Sequence, residues 1–419
     1  MTGLAATVPN IGEKAASLFR EESGRILASL IRASGSFDRA EEALQEAFTA
    51  ALGSWPSTGL PQNPGAWLTA AAHRKLIDMA RRERTRRDKQ DALTYETNSS
   101  ITPQYLNLQD ASMFPDDRLR LIFTCCHPAL NQQSQIALTL KTLGGLSTGE
   151  IAKAFLLPEP TLAQRLVRAK RKIQEACIPY EVPSRERLPE RLGSVQSVLY
   201  LIFNEGYLAS GGNQLVRSDL CAEAIRLTRV VCDLMPGVGE NLALLALMLL
   251  HDSRRGERMR DGKLITLEKQ DRSRWDQAEI EEGLTLTRRA LRSPPLGPYQ
   301  LQAAIAAVHA EARTAGDTDW HQIALLYERL LWFGNSPVVA LNHAVAVAMD
   351  AGLEKGLRLV DGLGGPAALD DYYLFHAARA DILARMNRNY EAAAAYRRAL
   401  ALTSNQVERE FLLARLAEL

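Results

Sequence analysis

Cysteine is sparse in this sequence: five residues lie scattered over 419, an odd number without close, regular spacing. That excludes a disulfide-stapled scaffold and points to a reduced, cytosolic protein. Histidine is also sparse, with seven residues. Aromatic residues make up only 6% of the chain, and β-branched runs are rare while Ala and Leu dominate, which predicts an all-α fold. The longest apolar run, LALLALMLL at 242–250, is about half of a membrane span, so it reads as a buried helix and no membrane partner is expected. The first residues, MTGLAATVPNIGEK, lack a basic start followed by an apolar run, so no secretory signal is expected. There is no nucleophile elbow, phosphate loop or dinucleotide fingerprint, so neither an enzyme nor a cofactor is read from motifs.

Net charge is nearly absent too, at +1 from 50 Lys/Arg and 49 Asp/Glu. Its distribution carries the information. Residues 1–180 hold 22 cations and 18 acids, and the remainder 28 and 31. Between Arg74 and Lys89 eight cations face three acids, and five of the nine residues 165–173 are cationic with none acidic. Two basic helices in one half of a near-neutral chain indicate two contacts with a polyanion.

At 419 residues the chain is too long for one ordinary core, and several domains are expected. SFDRAEEALQEAFTAAL (36–52) reads as an amphipathic helix capped by Ser36. GSWPSTGLPQNPG (53–65) reads as a loop. AWLTAAAHRKLIDMARRERTRR (66–87) is a long helix with a basic end. Residues 88–112 are polar and weakly periodic, as in a linker. Residues 116–145 give two helices broken at Pro128. From about 185 helices continue without long basic clusters. YLFHAARADILARMNRNYEAAAAYRRALAL (373–402) resembles a tetratricopeptide unit, with small residues at the packing positions.

The segment LSTGEIAKAFLLPEPTLAQRLVRAKRKI (146–173) is the most informative. Ser147 and Glu150 have the spacing of a capping box. Ile151, Ala154 and Phe155 sit at core-facing positions, and Leu156, Leu157 and Pro158 end the first helix. A second helix starts at 158–161, where Pro160 is tolerated. Leu162, Leu166, Ala169 and Ile173 form one apolar stripe, while Arg165, Arg168 and Lys172 lie on another face. This is a helix-turn-helix whose second helix can enter a major groove.

That segment resembles the fourth region of bacterial extracytoplasmic-function sigma factors. It matches at Leu146, Ser147, Glu150, Ile151, Ala152, Pro158, Thr161, Arg165, Leu166, Arg168 and Ala169, and departs at Leu156 and Pro160, where Gly is usual. FDRAEEALQEAFTAAL resembles the region-two helix that docks on the RNA polymerase clamp. PGAWLTAAAHRKLIDMARRERTRR resembles the following helix, which faces the downstream promoter element. The stretches YLIFNEGY (200–207), LLALMLLHDSRR (244–255) and QDRSRWD (270–276), with the tetratricopeptide-like tail, resemble the long-tailed subgroup of these factors.

The resemblance implies region 2 at 10–87, a flexible linker at 88–112, region 4 at 113–180, a helical middle domain at 185–295 and a repeat-like domain at 296–419. It implies core RNA polymerase and promoter DNA as partners, with the tail regulating activity or binding a further protein. Thr161, Gln164, Arg165 and Arg168 would meet the upstream promoter element, and Lys170, Arg171 and Lys172 its phosphates. Near the downstream element stand Gln62 and Asn63, with His73, Arg74, Arg81 and Arg82 along the groove or backbone. Asn63 is equally placed to shape the turn before Pro64, and Trp67 to stack on a base or fill the core. Glu42, Gln45, Glu46 and Phe48 would face the polymerase.

Two other constellations invite different readings. Cys125, Cys126 and His127 have poor zinc spacing and read as core thiols beside a helix-end histidine. His251–Asp252, with Asn204, Glu205, Asp271, Arg272, Arg274 and Asp276, reads as a structural polar network rather than a metal hydrolase. A plain helix-turn-helix regulator with a repeat-like interaction module remains the alternative, and the pattern at 36–87 speaks against it.

Overall fold

The computed structural model describes residues 11–91, 117–155, 157–184, 186–208, 215–334, 336–363 and 369–419. The chain divides into two compact units, residues 1–198 and 199–419. Apart from one short hairpin, the regular elements among the described residues are helical.

In the first unit α1 (Ile11–Ser34), α2 (Phe37–Thr58) and α3 (Pro64–Asp91) pack together. They are followed by α4 (Asp117–Cys125), α5 (Gln132–Thr142), α6 (Thr148–Ala154) and α7 (Glu159–Glu175), and α8 (Leu188–Tyr207) begins here. Ser36 caps α2, its Oγ accepting from Arg39 N. The loop expected at 53–65 is shorter than that. Helix α2 runs through Pro56 to Thr58, its end fixed by fully buried Trp55 and by Gly59, whose N–H reaches the Trp55 carbonyl at φ +78°. Helix α3 extends to Asp91, so the linker expected at 88–112 begins with helix, and its residues 92–112 lie outside the described set.

The α1–α3 bundle and the α4–α7 group share one unit. Gly24 of α1 comes so close to the end of α5 that a Cβ there would stand 3.1 Å from the Leu143 carbonyl oxygen. Tyr180 donates to the Ala28 carbonyl at 2.8 Å, and Arg32 pairs with Asp117 at 3.0 Å.

The second unit continues with α9 (Ser218–Leu234), α10 (Gly239–Asp252), α11 (Gln277–Leu291), α12 (Pro298–Glu311), α13 (Trp320–Leu331), α14 (Pro337–Ala351), α15 (Leu353–Leu363), α16 (Tyr373–Arg385), α17 (Asn389–Leu402) and α18 (Gln406–Ala417). Between α10 and α11, β1 (Met259–Arg260) and β2 (Lys263–Leu264) form a hairpin. Its turn residues Asp261 and Gly262 both have positive φ, as a two-residue hairpin turn requires. The run 242–250 is the buried centre of α10.

Successive helices share successive cores. Leu301, Ile305, Ile323, Leu330 and Val347 join α12 to α14. Leu341, Leu357, Val360, Phe375 and Leu383 join α14 to α16, and Ala380, Ala395, Tyr396 and Leu412 join α16 to α18. Such nearest-neighbour burial is how helical repeats stabilise themselves.

Candidate nucleic-acid interface

The helix-turn-helix forms from the local signals its sequence carries. The Ser147 N–H donates to Glu150 Oε2 at 2.7 Å, and the Glu150 N–H to Ser147 Oγ at 3.1 Å, so the capping box is complete at the start of α6. Helix α7 begins after Pro158, with Pro160 in its first turn, where the missing N–H costs no helical bond. Leu162, Leu166, Ala169 and Ile173 are buried, and Ile151 of α6 is buried with them. The other faces of α7 present Thr161, Gln164, Arg168, Arg171 and Lys172 as exposed and Arg165 as half-exposed. Arg171 meets Glu175 at 3.4 Å, but both are exposed, and such a pair contributes little.

Lys170 is placed differently from its expected role at phosphates. Its Nζ donates to Glu41 Oε2 at 2.7 Å and to Asp38 Oδ1 at 3.1 Å, and only 14% of its side chain is exposed. Burial disfavours the ammonium, yet the two carboxylates outweigh it and raise the Lys170 pKa. In this arrangement the lysine belongs to α2, not to a bound polyanion.

Helix α3 carries the second basic surface. The Asn63 side chain caps it, Oδ1 accepting from the Ala66 N–H at 2.9 Å. Gln62 beside it is exposed. Trp67 packs edge-on against buried Trp55 at 5.5 Å, which favours the core role. Arg74, Arg81 and Arg82 are exposed. His73 points elsewhere: its Nε2 lies 3.0 Å from Ser29 Oγ of α1. Burial, then Arg32, lowers its pKa, so it is a neutral packing imidazole rather than a groove cation. The side chains of Arg84, Arg86, Arg87 and Lys89 lie outside the described set.

On α2, Glu42 and Gln45 are exposed. Glu46 pairs with Lys75 of α3 at 3.0 Å. Phe48, expected on the outer face, is 7% exposed and stands edge-on to Phe19 at a 4.8 Å centroid separation. It helps line a groove of about 550 Å³ between α1–α2 and the α5–α6 connection, which Gln45, Lys141 and Glu150 also border. The sequence reading missed Asp38 and Glu41 as partners of Lys170, and no signal within α7 alone identifies them.

The remaining candidates are structural. Cys125 Sγ lies 3.3 Å from Thr142 Oγ1 and Cys126 Sγ 3.6 Å from Thr139 Oγ1, both fully buried. Burial pushes the Cys126 thiol up to about 12, so it is inert at neutral pH. His127 Nδ1 accepts from the Ala129 N–H, closing the turn after α4. Among the described residues no group of three or more His, Cys, Asp or Glu could hold a metal ion. Asp252 pairs with Arg255 at 3.0 Å, Asp271 and Asp276 cap the helices that follow them, and Arg274 reaches Glu257 at 3.0 Å. Arg272 binds the His309 and Ala312 carbonyls. No described helix is long and apolar enough to cross a membrane.

Comparison with known proteins follows the same division. Residues 18–86 match the family Sigma-70 region 2, and residues 120–173 match Sigma-70, region 4. Residues 191–291 match a family of unknown function (DUF6596). An uncharacterized protein of Rhizobium meliloti (strain 1021) is 42% identical over 391 residues, covering 92% of this chain and 91% of the relative.

Proposed function

Because this chain belongs to the sigma-70 family of transcription initiation factors, with region 2, region 4 and a helical extension in that order, we propose that it docks on core RNA polymerase and carries it to a restricted set of promoters. Family membership makes it a promoter-recognition protein, and its two-region layout is that of the extracytoplasmic-function type. On this reading the exposed face of α2, with Glu42 and Gln45 and with Glu46 beside them, meets the polymerase. Thr161, Gln164, Arg165 and Arg168 of α7 read base edges of the upstream element, where arginine recognises guanine by two hydrogen bonds. Arg171 and Lys172 position the helix on phosphates. Arg74, Arg81 and Arg82 follow the backbone near the downstream element, and the Gln62–Asn63 turn stands where a base is captured on melting.

The observation that carries this reading is the division of α7. Its apolar stripe is buried against its own domain, and its cationic and amide side chains stay exposed, in a segment that matches region 4 and follows one that matches region 2. Lys170 can add to this surface only after leaving Asp38 and Glu41, so full DNA contact includes a separation of α7 from α2. The extension 199–419 regulates this activity or holds a protein partner. Transcription from a promoter library by core polymerase, with and without this protein, tests the proposal. It predicts new start sites that depend on Arg165 and Arg168. Binding to DNA without any new start site would favour a plain helix-turn-helix regulator.

A further inference from the structure

The groove between α1–α2 and the α5–α6 connection has a volume of about 550 Å³. Sites that hold a small molecule measure roughly 300–1,000 Å³. Leu27, Leu44 and Phe48 are buried on its apolar side, and Phe19 and Leu52 continue that side. Leu52 is 50% exposed, so the apolar wall reaches the surface and the groove is open to a ligand.

Two polar atoms on the wall are left without a bond. Ser23 is 2% exposed, and its Oγ has no hydrogen-bond partner among the described residues. Other buried hydroxyls of this unit bond back to the carbonyl four residues earlier, as Thr124 does to Arg120 and Thr142 to Leu138. Ser23 does not, and it lines the groove. Glu41 lines it too. Its Oε2 accepts from Lys170 Nζ at 2.7 Å, while its Oε1 is buried with no partner among the described residues. Buried polar atoms left in this state are costly, and a donor that reaches them removes the cost.

The charges decide which donor fits. The lining carries two acids, Glu41 and Glu150, and one cation, Lys141. Glu150 is engaged in the α6 capping box through the Ser147 N–H. Lys141 stands in the last turn of α5, where its charge complements the helix end. Glu41 therefore offers the open carboxylate oxygen, with Asp38 close by on the same lysine. An anion would meet these two acids as a like charge. An ammonium supplies several N–H donors and a charge-assisted bond to Glu41.

We propose that this groove binds a small amphipathic cation, a primary amine on an apolar body, with the ammonium on Glu41 Oε1 and Ser23 Oγ and the body against Leu44, Phe48 and Leu52. The two sides of the groove come from α1–α2 and from the α5–α6 connection. An occupant touching both braces them together and favours the state in which Lys170 stays on Glu41. On the promoter reading, on which only this consequence rests, the amine and promoter DNA weaken each other's binding by the same factor.

The test uses the full-length protein and three probes of similar size: phenethylamine, 2-phenylethanol and 3-phenylpropanoate. Each is titrated by calorimetry at fixed pH and ionic strength. Saturable binding of the amine is expected, with the alcohol weaker by about tenfold or more and the carboxylate not bound. Ser23→Ala removes an unpartnered hydroxyl, so the fold is kept, and it should weaken the amine by about threefold or more. Leu52→Lys sets a cation at the half-exposed edge of the groove and should weaken it by about tenfold or more. Leu413→Lys, at a leucine of α18 that is 52% exposed, is the matched control and should leave binding unchanged. No saturable binding of the amine, equal binding of amine and carboxylate, or equal binding by wild type and Leu52→Lys would overturn the site. Amine binding that is indifferent to promoter duplex would contradict the bracing, whereas a protein that binds the amine but no duplex would contradict the promoter reading instead.

Discussion

Lys170 Nζ and Glu41 Oε2 lie 2.7 Å apart, so a lysine of the second helix of the helix-turn-helix is neutralised by an acid of region 2. Asp38 holds the same ammonium at 3.1 Å. The two carboxylates thus hold the Lys170 ammonium against α2. Replacing them by Asp38→Asn with Glu41→Gln should free Lys170 without removing the helix from its core. The expected result is tighter binding to promoter duplex at low salt and a slope of log K against log salt steeper by about 0.9, one added phosphate contact. Anisotropy titrations at several salt concentrations measure this, and an unchanged slope would show that Lys170 never reaches DNA.

Arg168 and Lys172 should separate reading from positioning. Arg168→Ala is expected to cost roughly 1–3 kcal/mol on the preferred upstream sequence and far less on unrelated duplex. Lys172→Ala should weaken all duplexes alike and lower the salt slope by about 0.9. Parallel titrations on both kinds of DNA distinguish the two outcomes.

Asn63 caps α3, so Asn63→Ala should destabilise the first turn of that helix by about 1 kcal/mol. Hydrogen exchange at Ala66 and Trp67 would report it. If the same residue also captures a base, promoter melting should fall by more than that loss of stability accounts for. A variant in which Asp restores the cap separates the two roles, because it returns the exchange protection while changing the hydrogen-bonding edge.

Glu279 gives a pH signature in the second unit. Burial, followed by Asp252 and Asp276, pushes its carboxyl up to about 7, and its Oε2 has no hydrogen-bond partner. The folded state therefore holds this proton more tightly than the unfolded chain, and stability falls as pH rises from about 4.5 to about 7. Burial and then Arg254 and Arg272 lower His309 to about 4 from 6.5, and this works the other way: the unfolded state binds the extra proton, so stability rises with pH between those values. Glu279→Gln should remove the first effect and leave the second. Thermal unfolding should then show the variant more stable than wild type at pH 8, by on the order of 2 kcal/mol, with little difference at pH 4.5. Equal stability at pH 8 would mean that the carboxylate is solvated.

The helix-turn-helix was legible in the sequence because its signals are local. A capping box, a proline break and an apolar stripe all lie within 28 residues, and each formed where its spacing placed it. The end of α2 was not legible, since Pro56 and the glycines around it read as a loop. The long-range burial of Trp55 holds that last turn in place. His73, Phe48 and Lys170 show the same limit on site residues. Periodicity assigns a side chain to a face of its own helix, but only the neighbouring helix decides whether that face is covered. Ser29, Phe19 and the Asp38–Glu41 pair are those neighbours.

The most direct test of the central claim is binding of the full-length protein to bacterial core RNA polymerase, followed by open-complex formation on promoter DNA. The account predicts a stable complex, strand opening only in its presence, and weaker polymerase binding, by about tenfold or more, when Glu42→Ala and Gln45→Ala remove two exposed side chains of α2. Binding to promoter duplex without any binding to core polymerase, before and after release of Lys170 by the Asp38→Asn and Glu41→Gln changes, would contradict it.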